Sequence, residues 1–533
     1  MYKILVSDSL PADILAKYDN QEGITVENKS GISMEDLKKI ISGYDGLVVR
    51  SRTKVTADIL EHASRLKVIG RAGAGVDNID SKEATKRGII VMNTPGGNTI
   101  AATEHSIAMM LSALRNIPKA NASILEEKWD RKSFIGHELF EKTIGIIGLG
   151  KIGREVAKRL SAFGANLIGY DPILTTDIAD RLGVKLVDLD QLLEKSDIIS
   201  VHAPKMPETV DMINAKNLKL CKDGVVIVNC ARGGIVNEKD LIAALDSGKV
   251  GCAAIDVFSS EPPTDFTLAK HPKCLATPHL GASTEEAQVK VADQILQQMI
   301  EYFNKNVAKN AVNYVSVDEE LQPVIAPFYE LATRLGTLFN QIKAGRLKEV
   351  AVRYYGTVLN VPVEPITAHL LVGALKSQKD GKDVEIINAV NSLAIARDKG
   401  ISIEIAKKDL ALTSHTNVIA CDFVTESETI HVAGTYFAQN IFHLIEYCQF
   451  NIDADLNGQM IIIGNDDIPG IIGKAGTILA ENNINIGHLS SSRKNDKKLA
   501  LNIFNVEGNL QPELKSKLEQ IPGVKRVLII KLN

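Results

Sequence analysis

The side chain best suited to move a proton near neutral pH is His279, set in Ala276-Thr277-Pro278-His279-Leu280-Gly281-Ala282 with the acids Asp256 and Glu261 upstream. Arg232, in Asn229-Cys230-Ala231-Arg232-Gly233-Gly234, follows the apolar run Val225–Asn229. A cation just past a buried parallel strand can fork onto a substrate carboxylate. The third constellation is Gly148-Leu149-Gly150-Lys151-Ile152-Gly153, after the apolar strand Ile144–Ile147 and before a helical pattern. In that order Gly148 permits a tight turn, Gly150 lets backbone N–H groups approach a pyrophosphate, and Gly153 lets the helix pack close to the sheet. Asp171 closes the next strand, where a carboxylate accepts hydrogen bonds from ribose hydroxyls and repels a 2′-phosphate. Together these residues predict proton transfer beside bound NAD, rather than NADP, on a carboxylate-bearing substrate. His105, His202 and His137 are read as packing or supporting residues.

The elements that must position these groups emerge from hydrophobic periodicity. Lys3–Ser7, Gly23–Asn28, Gly46–Arg50, Lys67–Gly70 and Ile89–Asn93 read as strands separated by helical patterns such as Met34–Ile41. Within this α/β unit, Arg71-Ala72-Gly73-Ala74-Gly75 lacks the third glycine and distal acid of a nucleotide loop, so it reads as a substrate loop. The long helical pattern Ile100–Leu114 crosses into the dinucleotide unit. Strands at Ile198–His202, Val225–Asn229, Gly251–Asp256 and Leu275–Thr277 continue its sheet, and a helix from Thr284 returns to the first unit. Two units in one split chain imply a cleft between them.

Past Asn310 the pattern changes to a long helix, Pro323–Lys343, with strands Glu349–Gly356 and Val418–Thr425. From Gln459 the order is strand, turn, helix, strand, strand, helix, strand, the βαββαβ order of a ferredoxin-like module. The expected architecture is therefore α/β. Two Rossmann-like parallel-sheet domains with a cleft (residues 1–97 with 285–310, and 98–284) are followed by an α+β intervening domain (311–452) and the ferredoxin-like module (458–533).

Composition sets outer limits. A chain of 533 residues exceeds one hydrophobic core, and 45% hydrophobic residues, 24% charged residues and a net charge of -4 predict a soluble protein with no nucleic-acid or membrane partner. The opening MYKILVSDSL reads as strand and turn rather than as a leader, and no apolar run reaches spanning length, so a cytoplasmic location is expected. Six cysteines without a CxxC pair predict reduced thiols and no metal site.

The ordered set GLGKIG, GYDP, NCARGG, AIDVF with EP, and TPHLGAS resembles the D-2-hydroxyacid dehydrogenase family. With RAGAGVDNID, NTPGGNT and the C-terminal extension, it is similar to that family's long branch, whose substrate is 3-phosphoglycerate and whose last module is an ACT domain. The resemblance implies His279 as acid/base, Glu261 as its partner and Arg232 as the clamp on carboxylate and C2 oxygen. It places Gly148, Gly150, Lys151, Ile152, Gly153, Asp171, Ala203, Cys230, Ala231, Arg232, Asp256 and the segment His279, Leu280, Gly281, Ala282 around NAD. It assigns Arg50, Ser51, Arg71, Gly73 and Asn98 to the substrate, and Arg131 to a neighbouring subunit's site, which implies a homodimer or homotetramer. It implies L-serine as an effector held by Asn465, Asp467 and Asn485. Ala74 and Ala203 stand where relatives often carry threonine, and Asn465 where some serine-sensing relatives carry histidine or an aromatic residue. A dehydrogenase for another small D-2-hydroxy acid, and an NAD-sensing corepressor-like binding protein, fit the same motifs.

Overall fold

The computed structural model describes every residue except 20, 22, 377–385, 409–414, 438–440, 495–497 and 533. Its first sheet is built from β1 (Tyr2–Val6), β2 (Ile24–Asn28), β3 (Gly46–Val49), β4 (Val68–Arg71) and β5 (Ile90–Met92). All are parallel, in the order β2-β1-β3-β4-β5. These short β-branched runs are buried on both faces because helices cover both sides. One cover is the helix Glu285–Lys305, which returns as expected: Val291, Ile295, Leu296 and Met299 join Ile4, Val6 and Val68 in one core.

The second sheet comprises β6 (Thr143–Ile147), β7 (Asn166–Tyr170), β8 (Val184–Leu186), β9 (Ile198–Val201), β10 (Val225–Asn229), β11 (Val250–Ile255) and β12 (Cys274–Ala276). Its order, β12-β11-β10-β9-β6-β7-β8, is parallel throughout and reverses direction beside β6. Ligands in such open sheets bind outside the carboxyl ends of the strands at that reversal. The helix Thr99–Leu114 packs Ile107, Met109, Met110 and Leu114 onto this sheet, so the crossing into the second unit falls where the apolar pattern predicts it.

A third, mixed sheet holds β13 (Leu347–Gly356), β14 (Ser402–Lys408), β15 (Asn417–Thr425), β16 (Thr429–Phe437), β17 (Ile441–Tyr447) and β18 (Phe450–Asp455). Strand β18 runs past residue 452, a correction to the expected end of the intervening unit. The fourth sheet, β20-β21-β19-β22, is antiparallel and has the expected βαββαβ order, with β19 (Gly458–Asp466), β20 (Asn485–Lys494), β21 (Leu499–Glu507) and β22 (Val524–Leu532). Alternation along β19 divides its two faces. Ile461 and Ile463 meet Ile471, Leu479 and Leu518 of the module's own helices. Met460 and Ile462 instead join the core that contains Leu335 and Phe339 of the helix Gln322–Ile342. The last module is thus cemented to the intervening unit through one whole sheet face.

Candidate active site

At the dinucleotide turn, the structure gives each glycine the reason its spacing predicts. Gly148 turns at φ +89, and a Cβ there would lie 2.8 Å from the backbone of His202 and Ala203. A Cβ on Gly153 would approach the Gly148 carbonyl oxygen to 2.0 Å, so the helix Lys151–Ser161 can pack this close only without a side chain. At Gly150 a Cβ would meet nothing within 4 Å, and this open space at the helix N-terminus is the cradle a pyrophosphate requires. Asp171 follows β7, as expected. Its Oδ2 accepts the Leu149 N–H at 2.8 Å and its Oδ1 accepts those of Ile173 and Leu174, so it also ties down the glycine turn, a role the spacing did not reveal. Lys151 reaches away from the cradle: its Nζ donates to the Pro95 carbonyl, a strap between the two units. Ile152 packs onto the core beneath the turn. The residues present therefore fit NAD.

Past β10, Asn229 shapes the loop that carries Arg232. Its Oδ1 accepts the Ala231 N–H and its Nδ2 donates to the Arg232 carbonyl. A Cβ on Gly233 would lie 1.8 Å from the Phe258 carbonyl oxygen, so this loop presses against the segment leading to Glu261. Burial pushes the Cys230 thiol up to about 12, which keeps it neutral. The Arg232 Nη1 donates to the Ala231 carbonyl, and its Nε donates to Asp77 Oδ2 at 2.9 Å.

His279 and Glu261 meet at 2.6 Å between Nδ1 and Oε2. Glu261 Oε1 also accepts the Phe258 N–H. Burial alone would raise the Glu261 carboxyl, but the hydrogen bond from His279, its charge, the Phe258 N–H and Arg232 together hold it below the ordinary value. An ionised carboxylate only accepts, so Nδ1 carries a proton, and it is the neutral imidazole of this tautomer that offers the Nε2 lone pair to a substrate proton. The loop is anchored from below by Asp256, which is fully buried. Asp256 accepts from Thr277 Oγ1 at 2.5 Å, Leu280 N at 2.8 Å and Gly281 N at 2.9 Å, with His105 Nε2 at 3.1 Å. Burial works against this charge, yet His105, Thr277 and Leu280 keep the carboxyl below its usual range. His105 therefore has the supporting role expected of it. His202, hydrogen-bonded to Ser200 and pushed down to about 4 by burial, stays neutral in the core. His137 is exposed, which corrects its reading as a packing residue.

Opposite this loop, a cavity of about 870 Å³ brings Arg50, Ser51, Arg71, Gly73 and Asn98 to the same space as Glu261, His279 and Ala282. Arg71 is largely buried. Desolvation, then the neighbouring charges of Arg232 and Arg50, push its guanidinium down to about 10. Gly73, at φ +146, leaves room for it: a Cβ would fall 1.3 Å from Arg71 Nη1. Among the described residues, Arg71 Nε and Asn98 Oδ1 are buried without a hydrogen-bond partner. Orphaned buried groups of this kind point to a ligand. Asp8 was missed by sequence reading. It accepts from Arg50 N, Thr53 N, Thr53 Oγ1 and Arg52 Nε, and so shapes the loop that presents Arg50. Arg131 is not brought to this cavity; it lies in an exposed segment beside Trp129, which is 82% exposed.

In the last module the strand alternation overturns one expectation. Asn465 has the parity of Ile461 and Ile463, so it points inward. Its Nδ2 donates to the Asp466 carbonyl, its Oδ1 accepts from Asn502, and it is 3% exposed, so it braces the turn instead of presenting an amide to an effector. Asp467 stays partly exposed, 3.5 Å from Arg493 Nε, and Asn485 opens the edge strand β20 on the surface.

Three family models match the chain. Residues 107–281 match D-isomer specific 2-hydroxyacid dehydrogenase, NAD binding domain; 324–447 match the D-3-phosphoglycerate dehydrogenase intervening domain; and 459–523 match the ACT domain. The chain is 38% identical to a D-3-phosphoglycerate dehydrogenase of Bacillus subtilis over 532 residues, all of both proteins. It is 38% identical to that of Archaeoglobus fulgidus over 98% of each. The human protein of that name is 41% identical over 75% of this chain and 74% of its own length. Among solved structures, a D-lactate dehydrogenase of Aquifex aeolicus complexed with NAD and lactic acid aligns with a TM-score of 0.52 at 27% identity, covering 59% of this chain and all of that one. A glyoxylate reductase aligns at 0.54 and 31% identity, covering 58% of this chain and 98% of that one. The chain belongs to the D-3-phosphoglycerate dehydrogenase family.

Proposed function

We propose that the chain oxidises 3-phospho-D-glycerate to 3-phosphohydroxypyruvate with NAD, the step that opens L-serine biosynthesis. The observation that carries this reading is Arg71. A buried guanidinium with an unpartnered Nε lines the cavity that holds the His279–Glu261 pair, beside Asn98 and Arg50. The fork of Arg232 takes the substrate carboxylate, and Arg71 with Arg50 takes the phosphate. The C2 hydroxyl proton passes to His279 Nε2, and Glu261 holds the resulting imidazolium through Nδ1. The Gly148–Gly153 turn and Asp171 would hold NAD, which would supply the acceptor for the C2 hydride. Steady-state formation of NADH with 3-phosphoglycerate, glycerate and lactate tests the proposal. A preference for glycerate or lactate would make the chain a dehydrogenase of another small 2-hydroxy acid, and no turnover with any of them would make it an NAD-binding sensor.

The ACT domain marks the chain as one that binds a small-molecule effector. We infer that this effector is L-serine, with Asp467 facing its ammonium group, and Asn485 of a second module completing the site. A serine titration of the full-length enzyme and of Asp467→Ala checks this: inhibition of both alike removes Asp467, and inhibition of neither removes serine. We further infer a homodimer or homotetramer. The helix Ile117–Leu125 buries none of its residues, and Leu125, Trp129 and Ile135 are at least three-quarters exposed beside Arg131. Sedimentation of wild type and Trp129→Glu would reveal an interface there by dissociation of the variant. Among the described residues no helix is long and apolar enough to cross a membrane, and we place the enzyme in the cytoplasm.

A further inference from the structure

The substrate clamp has a partner on the other side of the cleft. Arg232 lies on the loop after β10 of the second unit, and Asp77 on the loop after β4 of the first, 155 positions away in the chain. The Asp77 Oδ2 accepts the Arg232 Nε–H at 2.9 Å. Two more contacts hold the same guanidinium: Nη1 donates to the Ala231 carbonyl, and Nη2 lies against Gly75, where a Cβ would sit only 1.9 Å away. With Nε on Asp77 and one Nη1 hydrogen on the Ala231 carbonyl, the remaining Nη hydrogens are the part of the fork left to a ligand.

We propose that Asp77 is a positioning residue for the dehydrogenase reaction, which aims Arg232 at the carboxylate and C2 oxygen of the substrate when the two units are closed. Its charge serves a second purpose. Arg232 and Arg50 are like charges close to Arg71, and Asp77 is an anion beside both Arg232 and Arg71, so it reduces the repulsion that would turn the Arg232 side chain out to solvent. Because the pair spans the cleft, opening the units separates it. The clamp is then aimed only in the closed arrangement, which ties orientation of the substrate to closure.

This inference rests on the proposed function only so far as the substrate is a 2-hydroxy acid, since the group Arg232 would hold is common to all of them. It is tested by steady-state kinetics of Asp77→Ala and Asp77→Asn, measured with whichever of 3-phosphoglycerate, glycerate or lactate the wild-type enzyme turns over best. The choice of substrate thus judges the proposed function, and the ratio of variant to wild type judges Asp77. Asp77→Ala is expected to lower kcat about 10- to 100-fold, as loss of a charged contact and misplacement of a binding group do. The KM for NAD should not change. Asp77→Asn keeps an oxygen to accept the Nε–H and should recover most of the lost kcat. Wild-type kcat in Asp77→Ala overturns the proposal. So does a lower substrate KM in that variant, because Asp77 would then compete with the substrate for Arg232. Equal losses in both variants accompanied by a lower Tm would make Asp77 a residue of the fold alone.

Discussion

Glu261→Gln preserves size and removes charge, and the geometry of the site dictates the consequence. In the native site Oε2 faces His279 Nδ1 at 2.6 Å while Oε1 accepts the Phe258 N–H at 3.2 Å. A carboxylate accepts both, whereas a carboxamide has one acceptor oxygen. If that oxygen stays on Phe258, the new amide group donates to Nδ1 and drives the imidazole to the tautomer protonated at Nε2, which cannot take the substrate proton. If it turns to His279, the amide hydrogens confront the Phe258 N–H. Hydrogen bonds to charged groups contribute about 1.5–3 kcal/mol. Both side chains are 38% exposed, so screening favours the lower part of that range, about 1.5–2 kcal/mol. At 1.36 kcal/mol per tenfold, this predicts a kcat lower by about 10- to 30-fold. The tautomer change adds to that loss, up to the roughly 100- to 10,000-fold expected for His279→Ala. Because the native Glu261 carboxyl is held below its usual 4.5, the pair is intact above that value and is lost only as pH falls through the lowered one. The wild-type pH–rate profile should therefore carry no step from Glu261 in the neutral range. The assay is NADH formation against pH for wild type and variant. Wild-type turnover in a folded Glu261→Gln would refute the pairing of these two residues as the acid–base unit.

The other expectations use the same cleft. Gly150→Ala should fold with an unchanged Tm, since a Cβ there meets nothing, but should bind NAD more weakly in a fluorescence titration. Gly153→Ala, whose Cβ would press on the Gly148 carbonyl, should lose about 1–3 kcal/mol of stability in denaturant unfolding. Arg71→Ala should lower kcat/KM for 3-phosphoglycerate by about 10- to 100-fold and that for an unphosphorylated 2-hydroxy acid much less; equal losses would take Arg71 away from the phosphate. Asp256→Ala leaves Thr277, His105 and the N–H groups of Leu280 and Gly281 without their buried acceptor. A loss of about 3–5 kcal/mol in unfolding, with kcat falling even where the variant is folded, is expected.

What the sequence by itself determined is local. The spacing of Gly148, Gly150 and Gly153 could be read without coordinates because each glycine answers a constraint from its own turn, and the strand before and the helix after are set by period alone. The βαββαβ order of the last module was legible for the same reason, as was the clustering of Arg232, Glu261 and His279 on segments that succeed the strands of one parallel sheet. The tertiary structure decided which side chains share a contact. Asp77 and Arg232 are joined only because the chain returns across the cleft, and nothing in RAGAGVDNID marks its first aspartate as the partner of a distant arginine. Asp8 and Asp256 look like ordinary acids in sequence; burial beneath loops that turn several donors toward each of them makes them organisers of the site. The resemblance assigns Asn465 to the effector, whereas the two-residue period of β19 carries its side chain into the interior. Periodicity and backbone conformation act over a few residues and leave their mark in the chain, whereas the pairing of charges across a cleft depends on sheet order and domain closure, which the local pattern does not encode.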